Sequence, residues 1–383
     1  MNILYVAFVD FSQMHYGPAK KILSACKAME RDGHTVTLLG RQGHASVRIH
    51  TDGKTEMLEQ HGAYPIGRLQ VLLDKSKQVR AVERYVREKT FDFCYIRFDL
   101  CTGEFMGLLK KLDRVCKQIF IELPTYPYEQ EYVGFISKLR LRNNDRCAVG
   151  LKKYVDRIVT FYPIPGDRFF DVPCLTVPNG FDFDTVSLIR DDRVPERIHI
   201  AAVSAMRHWH GYERMIEGLH RYYAAGGQRD IVLHMVGEGR EGPKYLALTK
   251  EYGLEERVLF HGPMFGDDLA NLLEQCTLGV DSLARHRTNI SVLSSLKSRE
   301  YGAKGIPLIN SCRIDIIEDG YPYLLLVPAD ETPVDIETVV AFYDRIYAGG
   351  SRIAVAKEIR EYIEPRSDMH AVMQKVLAAV SLS

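Results

Sequence analysis

The chain has 383 residues, 46% of them apolar and 26% charged, with 50 Lys and Arg against 50 Asp and Glu. At ~100–200 residues per domain this fills two or three ordinary globular domains, and the even charge balance argues against a nucleic-acid binder. Eight cysteines are scattered without a Cys-x-x-Cys, no apolar run reaches the ~18 residues of a membrane span, and the opening Met1-Asn2-Ile3-Leu4 lacks a basic leader; reduced thiols in a cytoplasmic protein are the expectation.

Short apolar runs alternate with amphipathic segments. Over 1–190, strands are predicted at 2–8, 35–40, 91–97, 118–123, 156–161 and 173–178, and helices at 18–32, 77–89, 103–113 and 130–153. The polar stretch 186–197 reads as a linker. Over 191–365, strands follow at 198–204, 231–236, 257–261, 277–282, 306–310 and 323–327, with helices at 211–225, 243–253, 267–275, 296–304, 334–347 and 352–363. Such alternation demands an α/β protein with mostly parallel sheets and helices on both faces. Two Rossmann-like lobes facing a central cleft are expected, with ligands outside the carboxyl ends of the strands. A separate amphipathic helix, 366–383, follows Pro365.

Along this frame lie the residues that carry chemistry. Gly17-Pro18 opens the first helix; Gly17 permits close backbone approach to a ligand, or simply starts the helix with Pro18 at its first position. Strand 118–123 runs into Glu122-Leu123-Pro124-Thr125-Tyr126-Pro127-Tyr128-Glu129, an acidic-aromatic loop suited to a carbohydrate acceptor. Glu122 or Glu129 orients a sugar hydroxyl there, beside Tyr126; a hydrogen-bonded strand end is the other reading of Glu122. Segment 135–157 carries Lys138, Arg140, Arg142, Arg146, Lys152, Lys153 and Arg157 among apolar residues. It suits peripheral contact with an anionic membrane surface, or is a solvated helix face. Asp182-Phe183-Asp184 has Asp-x-Asp spacing, but Asn179-Gly180 makes its context a turn.

In Val203 to Gly211, a strand passes into a helix; Arg207 suits bidentate phosphate contact, and His208 and His210 suit loop packing or secondary contacts. Gly237-Glu238-Gly239-Arg240-Glu241-Gly242 has dinucleotide-fingerprint spacing, yet no acidic residue ends the next strand, where His261-Gly262-Pro263 stands, so that reading is rejected. The most telling stretch is 294–310. Its helix start near Leu296 offers unpaired N–H groups to phosphate, and Glu300 one turn further in suits a vicinal diol. Phosphate with diol suggests a nucleotide sugar.

This segment resembles the donor-binding helix of retaining GT-B glycosyltransferases of family 4, the group 1 glycosyl transferases. The resemblance follows five segments in order along nearly the whole chain. It implies that Glu300, second Glu of a Glu-x7-Glu pair, holds the ribose, that Ser295 and Leu296 present amides to the diphosphate, and that Val292 replaces the first Glu. It implies that Arg207 grips the diphosphate with His210 where a Lys is expected, that Gly237 and Gly239 lie near the nucleotide, that Met264 lies in the base loop, and that Gly17 faces the diphosphate. Lys297 is a candidate phosphate ligand or a surface lysine, and Ser282, Arg285 and Arg287 are candidates for the transferred sugar. Catalysis is assigned to Glu122, Arg207 and Lys297. The final helix is expected to cross back to the first lobe. No cofactor and no essential metal are expected beyond the nucleoside-diphosphate sugar, whose sugar passes to a glycan or lipid-linked acceptor in surface polysaccharide assembly. A GT-B nucleotide-sugar epimerase and a non-catalytic nucleotide-sugar-binding subunit are the competing readings.

Overall fold

Apolar runs buried on both sides form the central strands, because only a strand between two helical layers hides both sets of its side chains. The structure is a computed structural model that describes the chain except residues 13, 15, 16, 63–66, 129–134 and 381–383, with the side chains of 67–69, 71, 72, 135 and 136 also outside the description. The chain forms two units, Met1–Gly180 with Met369–Ser383, and Phe181–Asp368. The division falls at Gly180, ahead of the polar stretch 186–197, whose residues bind to the second unit: Ile189 N–H donates to Lys304 O at 3.1 Å, and Arg190 N–H to Glu274 Oε1 at 2.6 Å.

The first unit runs β1 (Asn2–Asp10), α1 (Gly17–Arg31), β2 (Thr35–Gln42), β3 (Ala45–Ile49), β4 (Thr55–Gln60), α2 (Gly67–Val86), β5 (Phe91–Arg97), α3 (Gly103–Leu112), β6 (Cys116–Leu123), α4 (Phe135–Ala148), β7 (Arg157–Thr160), β8 (Arg168–Phe169) and β9 (Val172–Thr176). Its sheet has the order β4-β3-β2-β1-β5-β6-β7-β9-β8, parallel through the centre and antiparallel at both edges. The hairpin β3–β4 has no counterpart in the predicted elements. Its outer strand faces solvent, with Met57 64% exposed, so it lacks the apolar run that marks a buried strand.

The second unit holds β10 (Ile198–Val203), α5 (Glu213–Ala224), β11 (Ile231–Val236), α6 (Gly242–Glu251), β12 (Val258–Gly262), α7 (Gly266–Gln275), β13 (Leu278–Val280), β14 (Val292–Leu293), α8 (Leu296–Lys304), β15 (Leu308–Asn310), β16 (Arg313–Ile314), β17 (Leu324–Leu326), α9 (Ile336–Ile346) and α10 (Arg352–Ser367). Six strands form a parallel sheet, β12-β11-β10-β13-β15-β17, and β14 pairs with β16 in a small parallel ribbon. The helix predicted to begin at 366 begins later. Pro365 sits in the last turn of α10, and the chain leaves the helix at Asp368, where ψ is 136°. α11 (Met369–Ala378) then belongs to the first unit: Met369, Val372, Met373 and Val376 join the core cluster of α1, and His370 Nε2 lies 2.6 Å from Asp32.

Candidate functional site

The second sheet starts at β10 and grows in both directions, to β11 and β12 on one side and to β13, β15 and β17 on the other. Open α/β sheets bind ligands outside the carboxyl ends of the strands at such a switch point, here between β10 and β13. Two loops meet there, 204–211 after β10 and 281–295 after β13. Leu283 N–H donates to His210 O at 2.8 Å, and Gly211 (φ +62°) lets the backbones approach so closely that a Cβ there would lie 2.5 Å from that of Ala284.

The glycines of 237–242 serve the same packing. A Cβ on Gly237 would lie 2.0 Å from Ser204 O, and one on Gly239 1.9 Å from Ala205 O. The Gly-x-Gly spacing is thus accounted for by one loop lying against another. Met264 packs half-buried against the core of this unit.

Asp281 follows β13, is fully buried, and organises what surrounds it. Lys297 Nζ lies 3.0 Å from its Oδ1 and donates to its carbonyl oxygen at 2.6 Å. Ser295 Oγ donates to Oδ2, and Tyr212 Oη donates to the carbonyl at 3.2 Å. Burial disfavours the carboxylate, but Lys297 and Ser295 outweigh it and hold its pKa below the ordinary value. Ser295 also caps α8, accepting from Ser298 N–H at 3.1 Å, and Gly305 (φ +80°) ends the helix. Sequence reading passed over Asp281; the signal was an acidic residue closing the apolar run Leu278-Gly279-Val280.

Around this carboxylate the cations outnumber the anions. Arg285 lies over the Trp209 ring at 5.6 Å, makes no ion pair among the described residues, and its Nε is buried without a partner. Arg207 is exposed, and its guanidinium has no hydrogen-bond or ion-pair partner among the described residues. His210 is 5% exposed and stacks on Tyr212 at 5.5 Å; its Nδ1 accepts Arg207 N–H at 2.9 Å. Burial first, then Lys297, Arg285, Arg207 and His208, push its pKa well below the usual histidine value, so the ring is neutral. Arg287, by contrast, is bound to Glu213 at 2.9 Å, to Glu331 and to the His208 carbonyl. Ser282 is buried, its Oγ 3.4 Å from Asp281 Oδ1. Glu300 is half-buried in the second turn of α8. Val292, at the place of the first family glutamate, pairs with Arg313 in the β14–β16 ribbon.

In the first unit, Glu122 closes β6 and is 1% exposed. Lys21 donates to it at 3.3 Å, Tyr95 Oη at 3.2 Å, and Arg97 at short range. Burial raises its pKa, and Lys21 and Arg97 more than offset this. Gly17 is the first residue of α1 with nothing within 4 Å of a Cβ, Tyr126 packs half-buried against the core, and Glu129 lies outside the described residues. A Ser46–His61–Asp74 chain, with contacts of 2.9 and 3.0 Å, has the order of an acyl-transfer triad, but Ser46 is 1% exposed and anchors β3 to α2. Among the described residues no group of three or more His, Cys, Asp or Glu is placed to hold a metal, and no helix is long and apolar enough to cross a membrane. Asp182 and Asp184 flank the buried Phe183 in a short turn.

Residues 197–342, from the start of β10 into α9, match the family model of the glycosyl transferases group 1. No curated protein matches the chain by sequence. Among solved structures, sucrose-phosphate synthase of Thermosynechococcus elongatus is 16% identical, with a TM-score of 0.69 over 99% of this chain and 98% of that one. A glycosyltransferase of Rickettsia africae is 12% identical with a TM-score of 0.64 over 99% and 98%. The Anabaena protein HepE in complex with UDP-glucose is 15% identical with a TM-score of 0.63 over 99% of each chain. These likenesses show the fold, two Rossmann-like lobes of the GT-B type.

Proposed function

We propose that the chain is a glycosyltransferase that moves a sugar from a nucleoside-diphosphate donor to a glycan or lipid-linked acceptor, with retention, in surface polysaccharide assembly. The observation that carries this reading is the excess of unpaired positive charge at the switch point of the second sheet. Arg207 and Arg285 have no anionic partner there, beside the capped start of α8. When the bond from the anomeric carbon to the diphosphate breaks, negative charge grows on the departing phosphate. Fixed cations and helix N–H groups offset that charge without reorganising. They do the work that a divalent ion performs elsewhere, so transfer is expected to persist in chelator. Retention is supported by the family 4 resemblance, and a uridine nucleotide by the UDP-glucose held by HepE.

Glu300, one turn into α8, is assigned to the ribose. Glu300→Ala is expected to weaken nucleoside-diphosphate binding about tenfold or more, at ~1.4 kcal/mol per decade, with little change in melting temperature. A calorimetric titration checks this, and unchanged affinity removes the assignment. Transfer or slow donor hydrolysis in EDTA separates the enzyme from a subunit that only binds the donor. The second reading has one observation in its favour, the apolar Val292 in the β14–β16 ribbon.

For the acceptor, α4 presents exposed Lys138, Arg140, Arg142 and Arg146 beside Leu139 (57% exposed), with Val149 (55%) just after its end. This surface is assigned to an anionic membrane that carries the acceptor. Sedimentation with anionic vesicles, and not with neutral ones, is the expected result, lost on reversing Arg142 and Arg146 to Glu.

A further inference from the structure

We infer that His210 donates a hydrogen bond from Nε2–H to a diphosphate oxygen of the ligand at the switch point, as a neutral donor whose tautomer is locked by its own loop. This rests on the reading of that site as a nucleoside-diphosphate site. Nδ1 is occupied by Arg207 N–H at 2.9 Å, so the proton of the neutral ring sits on Nε2. The backbone is fixed on both sides, His210 N–H donating to Arg207 O at 2.9 Å and its carbonyl accepting from Leu283 at 2.8 Å. Tyr212, with its ring 13° from parallel, holds the imidazole in place. Nε2 itself has no partner among the described residues.

The charged groups that act on the ring explain why the donor is neutral. Arg207 and His208 come from its own loop, Arg285 from the turn after β13 and Lys297 from α8, and Asp281 is already engaged by Lys297 and Ser295. Another permanent cation in this cluster would be repelled whenever the site was empty. An imidazole adds a hydrogen bond to the anion without adding that repulsion. A histidine that only packed the loop would need its ring and Nδ1, and would gain nothing from Nε2–H.

Two substitutions separate the roles. His210→Asn keeps an acceptor near the position of Nδ1 and removes the donor; His210→Gln carries an amide N–H close to the position of Nε2 and gives up the acceptor. UDP, GDP and ADP are titrated calorimetrically into the full chain, and the tightest binder is carried to the variants. The expected result is a tenfold or greater loss for H210N and recovery of most of that loss in H210Q. The reverse order, with H210Q the weaker binder and the lower-melting protein, overturns the inference and leaves the site reading intact. A wild-type chain that binds none of the three overturns both. Should the variants melt far below the wild type, histidine nitrogen spectra of the wild type decide. A protonated Nε2 whose proton signal moves on nucleotide saturation supports the inference, and an unmoved signal overturns it.

Discussion

Glu122 and Asp281 are alike in position and burial, each a carboxylate beyond reach of water where a strand ends, each held by a lysine. They differ in what surrounds the pair. Glu122 collects Lys21, Arg97 and Tyr95, so the cations beside it are used within the first unit. Asp281 binds Lys297 and Ser295 and leaves Arg285 and Arg207 without anions. The proposed function takes the first carboxylate as scaffold and the second as the neighbour of the proposed diphosphate.

The largest effect should come from breaking the closed cluster. Glu122→Leu leaves Lys21 and Arg97 facing a buried apolar group, and removal of one partner from such a pair costs ~3–5 kcal/mol. Urea unfolding should show that loss; a change below ~1 kcal/mol would make Glu122 no scaffold residue. Arg285→Ala should do the opposite. The folded chain loses no ion pair, so its stability should stay within ~0.5 kcal/mol, while a nucleoside diphosphate should bind ~1–3 kcal/mol more weakly for want of a charge-assisted contact. Lost stability with unchanged affinity would place Arg285 with Glu122 and erase the contrast.

The most gradual effect is in pH. His210 and His234 are held below the usual histidine pKa by burial first, His234 at about 4. The folded chain therefore binds fewer protons than the unfolded one, whose histidines titrate near ~6.5. Stability is full above that value and falls as pH drops towards about 4, by at most ~1.4 kcal/mol per pH unit for each proton. The lowered pKa values of Glu122 and Asp281 act further down, where stability present above ~4 is lost as each carboxylate is protonated. Denaturant titrations between pH 7 and 5 check the histidine part, and a flat profile would contradict it.

Much of the fold was legible because buried parallel strands are written as continuous apolar runs, as in Ile198 to Val203 and Ile231 to Val236. The start of α8 was legible too, through Ser295 ahead of the helix and Gly305 after it. Strand β4 was not, since an exposed edge strand carries polar residues on its open face, and β3 was not because Ser46 and Arg48 break its short buried run. Asp281 was hidden for another reason: the predicted strand 277–282 contains it, but its burial depends on Lys297, sixteen positions later. The purpose of Gly237 and Gly239 lay in contacts with Ser204 and Ala205, which no local spacing reveals.

In the proposed function, the surplus cations of the second sheet hold a nucleoside diphosphate. Its most direct test is calorimetric titration of the full chain with UDP, GDP and ADP in EDTA, at low and at high salt. One of them should bind without metal, with an affinity that falls as salt screens the exposed Arg207. A chain that binds none of them at low salt would contradict it.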